Sequence, residues 1–146
     1  MFGGKKKAKV IQQDKEEILK KKFDILKKEV PIYVFTRGGE NDPFNRFTMA
    51  LIKELGKLTP KIIPEFHELG DEVSKKYDVS RSPTILIDPA AYHIRYTGSP
   101  AGEEMRSFLD TIVMTSVGKT LLSSSARKRL AALKESRHIQ VFVTPT

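Results

Sequence analysis

Cysteine is the residue type that this sequence lacks altogether, since none of its 146 residues is a cysteine. Disulfide bonds, zinc sites with cysteine ligands and thiol nucleophiles all require a cysteine sulfur, so this chain supplies none of them. Thiol–disulfide exchange is excluded for the same reason, because its nucleophile is a thiolate. Any chemistry of this protein must therefore come from other side chains.

Long apolar runs are also missing. No stretch reaches the ~18–20 apolar residues that a membrane-spanning helix needs, and residues 1–5 lack the apolar core of a signal peptide. We therefore predict a cytoplasmic protein that does not bind membranes. An apolar content of 39% and a charged content of 30% are typical of one globular domain with a moderate core.

Acidic residues are too few to balance the basic ones, and the net charge is +8. Residues 1–30 hold ten lysines against five acids. A basic arm of this kind can bind nucleic acid or anionic lipid, but aromatic or arginine side chains that would read bases are not interleaved with the lysines. We therefore interpret residues 1–12 as a basic, flexible lead-in, and nucleic-acid or acidic-partner binding through it remains an alternative.

Apolar spacing and turn residues predict the element order helix, β-α-β-α-β-β-α, helix, strand. The predicted helices cover residues 13–29, 42–58, 71–77, 102–116 and 123–135. The predicted strands cover residues 32–36, 61–67, 84–87, 93–97 and 138–143. Pro64 places the second strand at a sheet edge, and the turn at residues 88–91 predicts an antiparallel hairpin. A parallel β-α-β unit followed by a hairpin gives a mixed sheet with helices on both faces.

Two helices of this pattern carry specific expectations. In the helix 42–58, Asp42 is the predicted N-cap, Pro43 marks the first turn and Gly56 marks the approaching end. Its predicted buried stripe is Phe44, Phe47, Leu51, Ile52, Leu55 and Leu58. In the helix 102–116, the spacing predicts that the buried face consists of Met105, Phe108, Leu109, Ile112 and Val113. In the helix 123–135, Leu130 and Leu133 are expected to face inward.

Other candidate chemistry is weak. The loop 38–42 precedes a helix N-terminus that can hold an anion, but capping by Asp42 is the favoured interpretation and the Gly-Lys-Ser/Thr element of a phosphate loop is missing. His67, His93 and His138 lack metal-site spacing, so we expect solvent-facing or hydrogen-bonded roles. We predict no metal, no cofactor and no catalytic residue.

Four segments carry a resemblance to a known family. They read YDVSRSPT at residues 77–84, HIRYTGSPAGEE at 93–104, IVMTS at 112–116 and HIQVFVTPT at 138–146. Over residues 13–146 the chain thus resembles the first half of the archaeal and bacterial protein disulfide oxidoreductases, glutaredoxin-like proteins that join two thioredoxin-fold units. The resemblance implies an α/β, thioredoxin-like three-layer sandwich over residues 13–118, with a mixed four-stranded sheet flanked by helices. It further implies that residues 119–146 form a linker helix and the first strand of a missing second unit.

The resemblance also implies the position of a site. In the family a Cys-x-x-Cys pair follows the first strand, and alignment on Phe35–Thr36 places its two cysteine positions on Asn41 and Phe44. Asn41, Asp42, Pro43 and Phe44 would then be a degenerate redox motif. Ser82–Pro83 matches the family's cis-proline loop, which could bind an extended polypeptide by strand addition. Without the resemblance, Pro83 could equally begin the strand 84–87.

These observations predict a redox-inactive thioredoxin-fold module with a structural or polypeptide-binding role, from a family that serves cell redox homeostasis. An apolar terminal strand at 138–143 invites edge pairing, so we expect it to dock on its own sheet, on a polypeptide partner or on another copy. The alternative is a fragment of an active disulfide oxidoreductase whose redox centre lies in an absent C-terminal unit.

Overall fold

The computed structural model describes residues 9–143 and contains nine helices and strands in that range. In chain order they are α1 (Gln13–Phe23), β1 (Val30–Thr36), α2 (Asp42–Leu58), β2 (Ile62–Glu68), α3 (Glu72–Lys76), β3 (Thr84–Ile87), β4 (Ile94–Thr97), α4 (Glu104–Val117) and α5 (Ser124–Ala131). This order agrees with the prediction up to α5. Residues 1–8 and 144–146 lie outside the described residues, so the predictions made for them stay predictions.

The four strands form one mixed sheet in the order β2-β1-β3-β4. Strand β1 pairs parallel with β2 and antiparallel with β3, and β3 pairs antiparallel with β4. Pro64 lies on the edge strand β2, as predicted, where its missing N–H interrupts no central ladder. The predicted mixed four-stranded sheet and its terminal hairpin are therefore confirmed.

The alternation of side chains along β1 divides the core between the two faces of the sheet. Val30, Ile32 and Val34 are fully buried on the face that packs against α1, α2 and α4. Tyr33 and Phe35 point to the opposite face, where α3 and the segments beside it cover a smaller cluster. Alternate residues of β1 separate in this way because successive side chains of a strand point to opposite faces of the sheet. The result is three layers, with helices on both faces as predicted.

Helix α4 agrees closely with the predicted pattern. Phe108, Leu109 and Ile112 are buried, and Met105 and Val113 pack at the margin of the same cluster. The helix ends at Gly118, which has a φ of 69° and donates its N–H to the carbonyl of Met114. A left-handed glycine after a helix is the usual termination, because it has no Cβ to clash.

Helix α1 ends at Phe23, six residues before the predicted end. The backbone N–H groups of Lys27 and Lys28 donate to Ser116 Oγ over 3.0 and 3.1 Å, and Ser116 Oγ donates to the carbonyl of Lys28 over 2.6 Å. These backbone groups therefore pair with α4 instead of continuing the helical ladder. The sequence around residue 27 carries no sign of this distant partner.

The chain immediately before α1 is anchored. The N–H groups of Val10 and Ile11 donate to the two carboxylate oxygens of Glu54 on α2, over 2.9 and 2.7 Å. Ile11 is also buried in the main core. The predicted flexible lead-in over residues 1–12 is therefore wrong for Val10 and Ile11. The lysines at 5–7 lie outside the described residues, so nucleic-acid binding stays an untested prediction.

The C-terminal part departs most from expectation. Ser123 caps α5 as predicted, accepting the N–H of Ala126, but Leu130 and Leu133 are exposed and not turned inward. Helix α5 has no buried residue at all. The predicted strand at 138–143 is not formed either, since no neighbouring strand pairs with it in that range.

None of the helices described between residues 9 and 143 combines the length and apolarity needed to cross a bilayer.

Candidate functional site

The predicted site residues meet at one end of the sheet. Phe35 near the end of β1 pairs with Thr84 at the start of β3, so the loop after β1 lies beside the turn before β3. The Ser82–Pro83 peptide bond is cis, as predicted. Across this junction Asn41 Nδ2 donates to the carbonyl of Ser82 over 2.8 Å. The turn and the degenerate motif are thus brought into direct contact.

A buried polar network surrounds this contact. Ser82 Oγ accepts the N–H of Arg37 and donates to Asn45 Oδ1, both over 2.8 Å. Asn45 Nδ2 in turn donates to the carbonyls of Arg37 and Glu40, over 2.9 and 2.7 Å. Ser82 and Asn45 are both buried, so their polar atoms depend on these partners. The network holds the loop 37–41, the turn at Ser82 and the first turn of α2 in one arrangement.

Sequence reasoning missed Asn45, although a signal was present. The buried residues of α2 are Asn45, Thr48, Leu51, Ile52 and Leu55. They follow helical spacing, and the first two of them are polar. Thr48 Oγ1 lies 2.7 Å from Ser99 Oγ, and Ser99 Oγ donates to the carbonyl of Phe44 over 3.1 Å. Two polar residues in line with an apolar stripe mark a helix end that is packed against hydrogen-bonding loops.

Asp42 does not cap α2. The N-cap is Asn41, which has a φ of 56° and makes no side-chain capping bond. Asp42 is the first helical residue, and its Oδ1 accepts the N–H of Gly39 over 2.9 Å. The left-handed turn at Asn41 therefore directs the Asp42 carboxylate back to the loop, which corrects the predicted capping role. A carboxylate in this place also disfavours an anion site.

Phe44 is 57% exposed, so its predicted burial is wrong. The buried stripe of α2 runs through Asn45 and Thr48, and Phe44 lies about 100° around the helix from Asn45. Phe47, expected in the same stripe, packs at the margin of the main core and is half-buried. The second position of the degenerate motif thus presents an aromatic ring to solvent.

The degenerate motif has no thiol for disulfide exchange, because the chain contains no cysteine. An amide and a phenyl ring occupy Asn41 and Phe44, and neither is a nucleophile. The hydroxyl of Ser82 is buried and already bonded as donor and acceptor. Instead, hydrogen bonds join the loop 37–41 to the turn at Ser82, at the position where the resemblance places a redox pair.

His67 is hydrogen-bonded, in agreement with one of its two predicted roles. Its Nδ1 lies 3.2 Å from Asp71 Oδ2, and its ring stacks on Phe35 with a centroid distance of 5.1 Å. Asp71 caps α3. The hydrogen bond from the Ser74 backbone N–H holds the pKa of the Asp71 carboxyl below its usual range, and the hydrogen bond with His67 lowers it to a smaller extent. Burial raises the pKa of the neighbouring Tyr33, and the charge of Glu65 adds to this effect. This cluster stabilises the second face of the sheet.

Solved structures provide the comparison, since no protein-family model and no curated protein matches the sequence. A protein disulfide oxidoreductase from Aeropyrum pernix superimposes with a TM-score of 0.73 at 22% identity, over 84% of this chain and 55% of that one. The N-terminal domain of alkylhydroperoxide reductase AhpF from Enterococcus faecalis gives 0.73 at 22% identity, over 86% and 62%. The chain thus spans little more than half the length of these proteins.

Likeness at this level of identity establishes the fold. The sheet order, the helices on both faces and the cis turn at Ser82–Pro83 agree with it. This chain has the thioredoxin fold of the disulfide oxidoreductase and AhpF domains, without a cysteine anywhere in its sequence.

Proposed function

We propose that this chain is a redox-silent thioredoxin-fold module with a structural or polypeptide-binding role, and that its binding surface is the C-terminal segment, residues 119–143. The proposal includes a cytoplasmic location, which fractionation of cells expressing the full chain tests. Its two parts have separate support. The missing thiols remove the exchange reaction, and the distribution of exposed apolar side chains indicates where another polypeptide binds.

The exposed apolar side chains carry the proposal. Twelve large apolar residues are exposed within residues 9–143, and eight of them lie in the C-terminal segment. Those eight are Leu121, Leu122, Leu130, Leu133, Ile139, Val141, Phe142 and Val143. Single exposed apolar residues are ordinary, but a concentration of this kind marks an interaction surface.

The loop at Ser82 is less suited to binding than the resemblance implies. A peptide that adds as a strand there needs the backbone carbonyl of Ser82. That carbonyl already accepts the amide of Asn41 over 2.8 Å. A peptide donor would have to share this acceptor with Asn41, so the loop is a less favourable binding site than an unshared carbonyl would be. The exposed ring of Phe44 is then a solitary apolar contact beside an occupied acceptor.

Two measurements test the proposal. Insulin-disulfide reduction with a dithiol donor should show no rate above background, because the chain has no thiolate; a measurable turnover contradicts the redox-silent part.

For binding, fluorescence anisotropy with labelled, carboxymethylated insulin B chain compares the full chain with the variant Ile139→Ser/Phe142→Ser. We expect that variant to bind about tenfold or more weakly, since two apolar contacts are lost.

The matched control is Phe44→Ser, which removes an exposed aromatic ring from the redox-loop end, where Phe44 is 57% exposed and Phe142 is 88% exposed. Affinity should stay at the level of the unmodified chain. If the Phe44 variant loses binding while the C-terminal variant keeps it, the binding surface lies at the loop and the proposal is wrong in its location. Absence of binding by the unmodified chain would remove the polypeptide-binding role and leave a structural one.

A second candidate function has its own observation. The matched structures are longer than this chain, which covers 55% of the Aeropyrum pernix protein and 62% of the Enterococcus faecalis domain. We therefore propose as the alternative that the chain is the first unit of an active disulfide oxidoreductase whose redox centre lies in a second unit. The nucleotide sequence after codon 146 tests this: an open frame that begins with a Cys-x-x-Cys motif supports it, and a stop codon opposes it.

A further inference from the structure

Strand β4 has an open edge with a groove on each side. Among the described residues it pairs with β3 alone. On the α4 face of the sheet lies a groove of about 310 Å³ whose lining includes Ile94, Thr111 and Met114. On the opposite face a cavity of about 850 Å³ lies between the β3–β4 strands and residues 136–142. Both grooves run beside backbone that can still accept a strand.

The terminal segment, residues 138–143, already has the side-chain alternation of a strand. His138, Gln140 and Phe142 line the cavity. The intervening Ile139, Val141 and Val143 are 83%, 79% and 56% exposed. A period of two is the signature of extended chain, but here both rows are exposed, since Phe142 of the cavity-lining row is itself 88% exposed. The segment is therefore shaped as a strand and lacks the sheet that would bury its apolar row.

We propose that the terminal segment of one copy adds as a strand to the open edge of β4 in a second copy. Ile139 and Val141 then enter the groove between β4 and α4, and the row of His138, Gln140 and Phe142 lies on the side of Arg95. This inference rests on the proposed C-terminal binding surface and names its partner, a second copy of this chain. Exchange in both directions gives a closed twofold dimer.

The polarity of the two faces fits this placement. Along β4, Ile94 and Tyr96 pack with the main core, whereas Arg95 faces the cavity and donates to the carbonyls of Tyr77 and Asp78. An added strand continues this division, since its alternate residues fall on the same two faces. The odd-numbered apolar row of the terminal segment therefore meets the apolar side. The row of His138, Gln140 and Phe142 meets the side of Arg95, where Phe142 is its one apolar member.

Charge permits two basic chains to meet here. The whole chain carries +8, yet residues 138–143 contain no Lys, Arg, Asp or Glu. The acceptor groove has one charged lining residue, Lys119. Like charges directly opposite each other would oppose association, and this pair of surfaces places almost none in contact. An acidic partner would find few cations to recognise in the groove.

The area is also adequate for a dimer. Burying the four exposed apolar side chains of residues 139–143 removes roughly 300–500 Å² of apolar surface from water. An interface buries similar areas on its two partners, so reciprocal exchange would bury about 1,200–2,000 Å² in total, the range of stable interfaces. Six extended residues span about 20 Å, which is longer than the four-residue strand they would follow.

The segment can leave its own chain without opening the core. Helix α5 contributes no buried residue, and residues 132–143 are exposed throughout. An element whose release exposes no core is the kind that copies exchange at low cost. The linkage from Gly118 onward therefore permits the segment to reach a neighbouring molecule.

Sedimentation velocity over a wide concentration range tests the exchange on the full chain. We expect a monomer–dimer equilibrium for the unmodified chain and a dissociation constant at least about tenfold higher for Val141→Asp. The matched control is Ile18→Asp, which alters an exposed isoleucine on α1, outside the C-terminal segment, and should leave the equilibrium unchanged. A monomer at all concentrations, or a dimer indifferent to Val141→Asp, overturns the exchange.

Cysteine cross-linking distinguishes the partner, because the chain contains no cysteine of its own. A Gln140→Cys chain mixed with an Arg95→Cys chain should form the mixed disulfide in far higher yield than Gln140→Cys mixed with Ser107→Cys. Equal yields contradict the pairing. If the chain stays monomeric but still binds the insulin B-chain probe, the exchange fails and the proposed function stands; if it dimerises without binding the probe, the exchange stands and peptide binding fails.

Discussion

Individual buried polar side chains determine the conformations of loops in this protein. Ser116 joins the chain after α1 to α4, and Ser82 with Asn45 joins the loop after β1 to the turn before β3. Each side chain pairs with backbone groups of a segment far away in sequence. Because an unpaired polar group in the interior is costly, these residues specify positions that apolar packing alone would leave loose.

Ser116→Ala tests this directly. The substitution leaves the N–H of Lys27 without its partner and weakens the pairing of Lys28, so we expect a loss of about 1–3 kcal/mol in the free energy of unfolding. Urea denaturation followed by circular dichroism measures it. Ser107→Ala, on the exposed side of the same helix, is the control and should change stability by less than about 0.5 kcal/mol. Equal effects would show that the buried bonds are not needed.

The capping carboxylate of Asp71 gives a prediction about pH. Its pKa in the folded chain is below its ordinary value because of the Ser74 N–H and His67. A group of lowered pKa stabilises the fold above its unfolded pKa of about 3.9. That contribution is lost as the pH falls through the folded pKa. The stability advantage of the unmodified chain over Asp71→Asn should therefore shrink on acidification below about pH 4.

Thermal unfolding at a series of pH values measures that difference. Glu72→Gln, a charge removal at the next residue of the same helix end, is the control for nonspecific charge effects. A difference between the Asp71→Asn variant and the unmodified chain that stays constant from neutral pH to pH 2 would show that the carboxylate charge contributes nothing to the cap.

The degenerate motif can be tested by restoring its sulfurs. In Asn41→Cys/Phe44→Cys, the first thiol lies at the N-cap of α2 and the second one turn later. A helix N-terminus lowers a thiol pKa and so raises its thiolate fraction. We expect the variant to reduce insulin disulfides in the presence of a dithiol donor, where the unmodified chain gives no rate. A variant with Cys at 44 alone is the control, and an inactive double variant would show that these positions are not equivalent to a redox pair.

At the scale of elements, local patterns predict what local forces decide. The helix at 104–117 and the strand at 84–87 follow directly from spacing, because their apolar faces repeat with the period of the element. The end of α1 does not, since its backbone groups pair with Ser116. Nor does the state of residues 138–143, because a strand exists only when a neighbouring strand pairs with it. Sequence periodicity contains no information on either partner.

The candidate site divides in the same way. The resemblance places Asn41, Phe44, Ser82 and Pro83 at one end of the sheet, and all four are found there. The resemblance does not predict the orientation of Phe44 or the hydrogen bonds of Asn45, because both depend on how α2 is rotated against the sheet. A motif fixes chain positions, while the burial of each side chain depends on tertiary packing.

Gly56 shows how one element limits another. It lies inside α2, although the sequence pattern interprets it as the approach of the helix end. A Cβ at this position would lie 2.5 Å from Pro64 Cγ on β2. Gly56→Ala should therefore destabilise the fold by about 1–2 kcal/mol, because overpacking outweighs the higher helix propensity of alanine.

Chemical denaturation of Gly56→Ala beside Gly38→Ala provides the comparison. Nothing lies within 4 Å of a Cβ added at Gly38, and its backbone has no left-handed φ. The Gly38 variant should thus be neutral or slightly stabilised. A stable Gly56 variant would mean that α2 and β2 can separate without cost, contrary to their close approach.

The whole molecule consists of a packed unit and an exposed extension. The sheet, its covering helices and the segments that join them hold every buried apolar residue of the described chain, from Ile11 to Ile112. The extension from residue 119 to 143 contains none, although it carries most of the exposed large apolar side chains. We therefore expect the first part to fold without the second, and the contacts proposed for the second are with another molecule.

A chain ending at Gly118 tests this division. Since the extension buries nothing, its removal should change the free energy of unfolding, measured at low protein concentration, by less than about 0.5 kcal/mol. At high concentration the two chains should differ: dimerisation stabilises the folded full-length chain by mass action and raises its Tm, whereas the Tm of the shortened chain stays constant. A shortened chain that is several kcal/mol less stable when dilute would show that the extension belongs to the core of the same molecule.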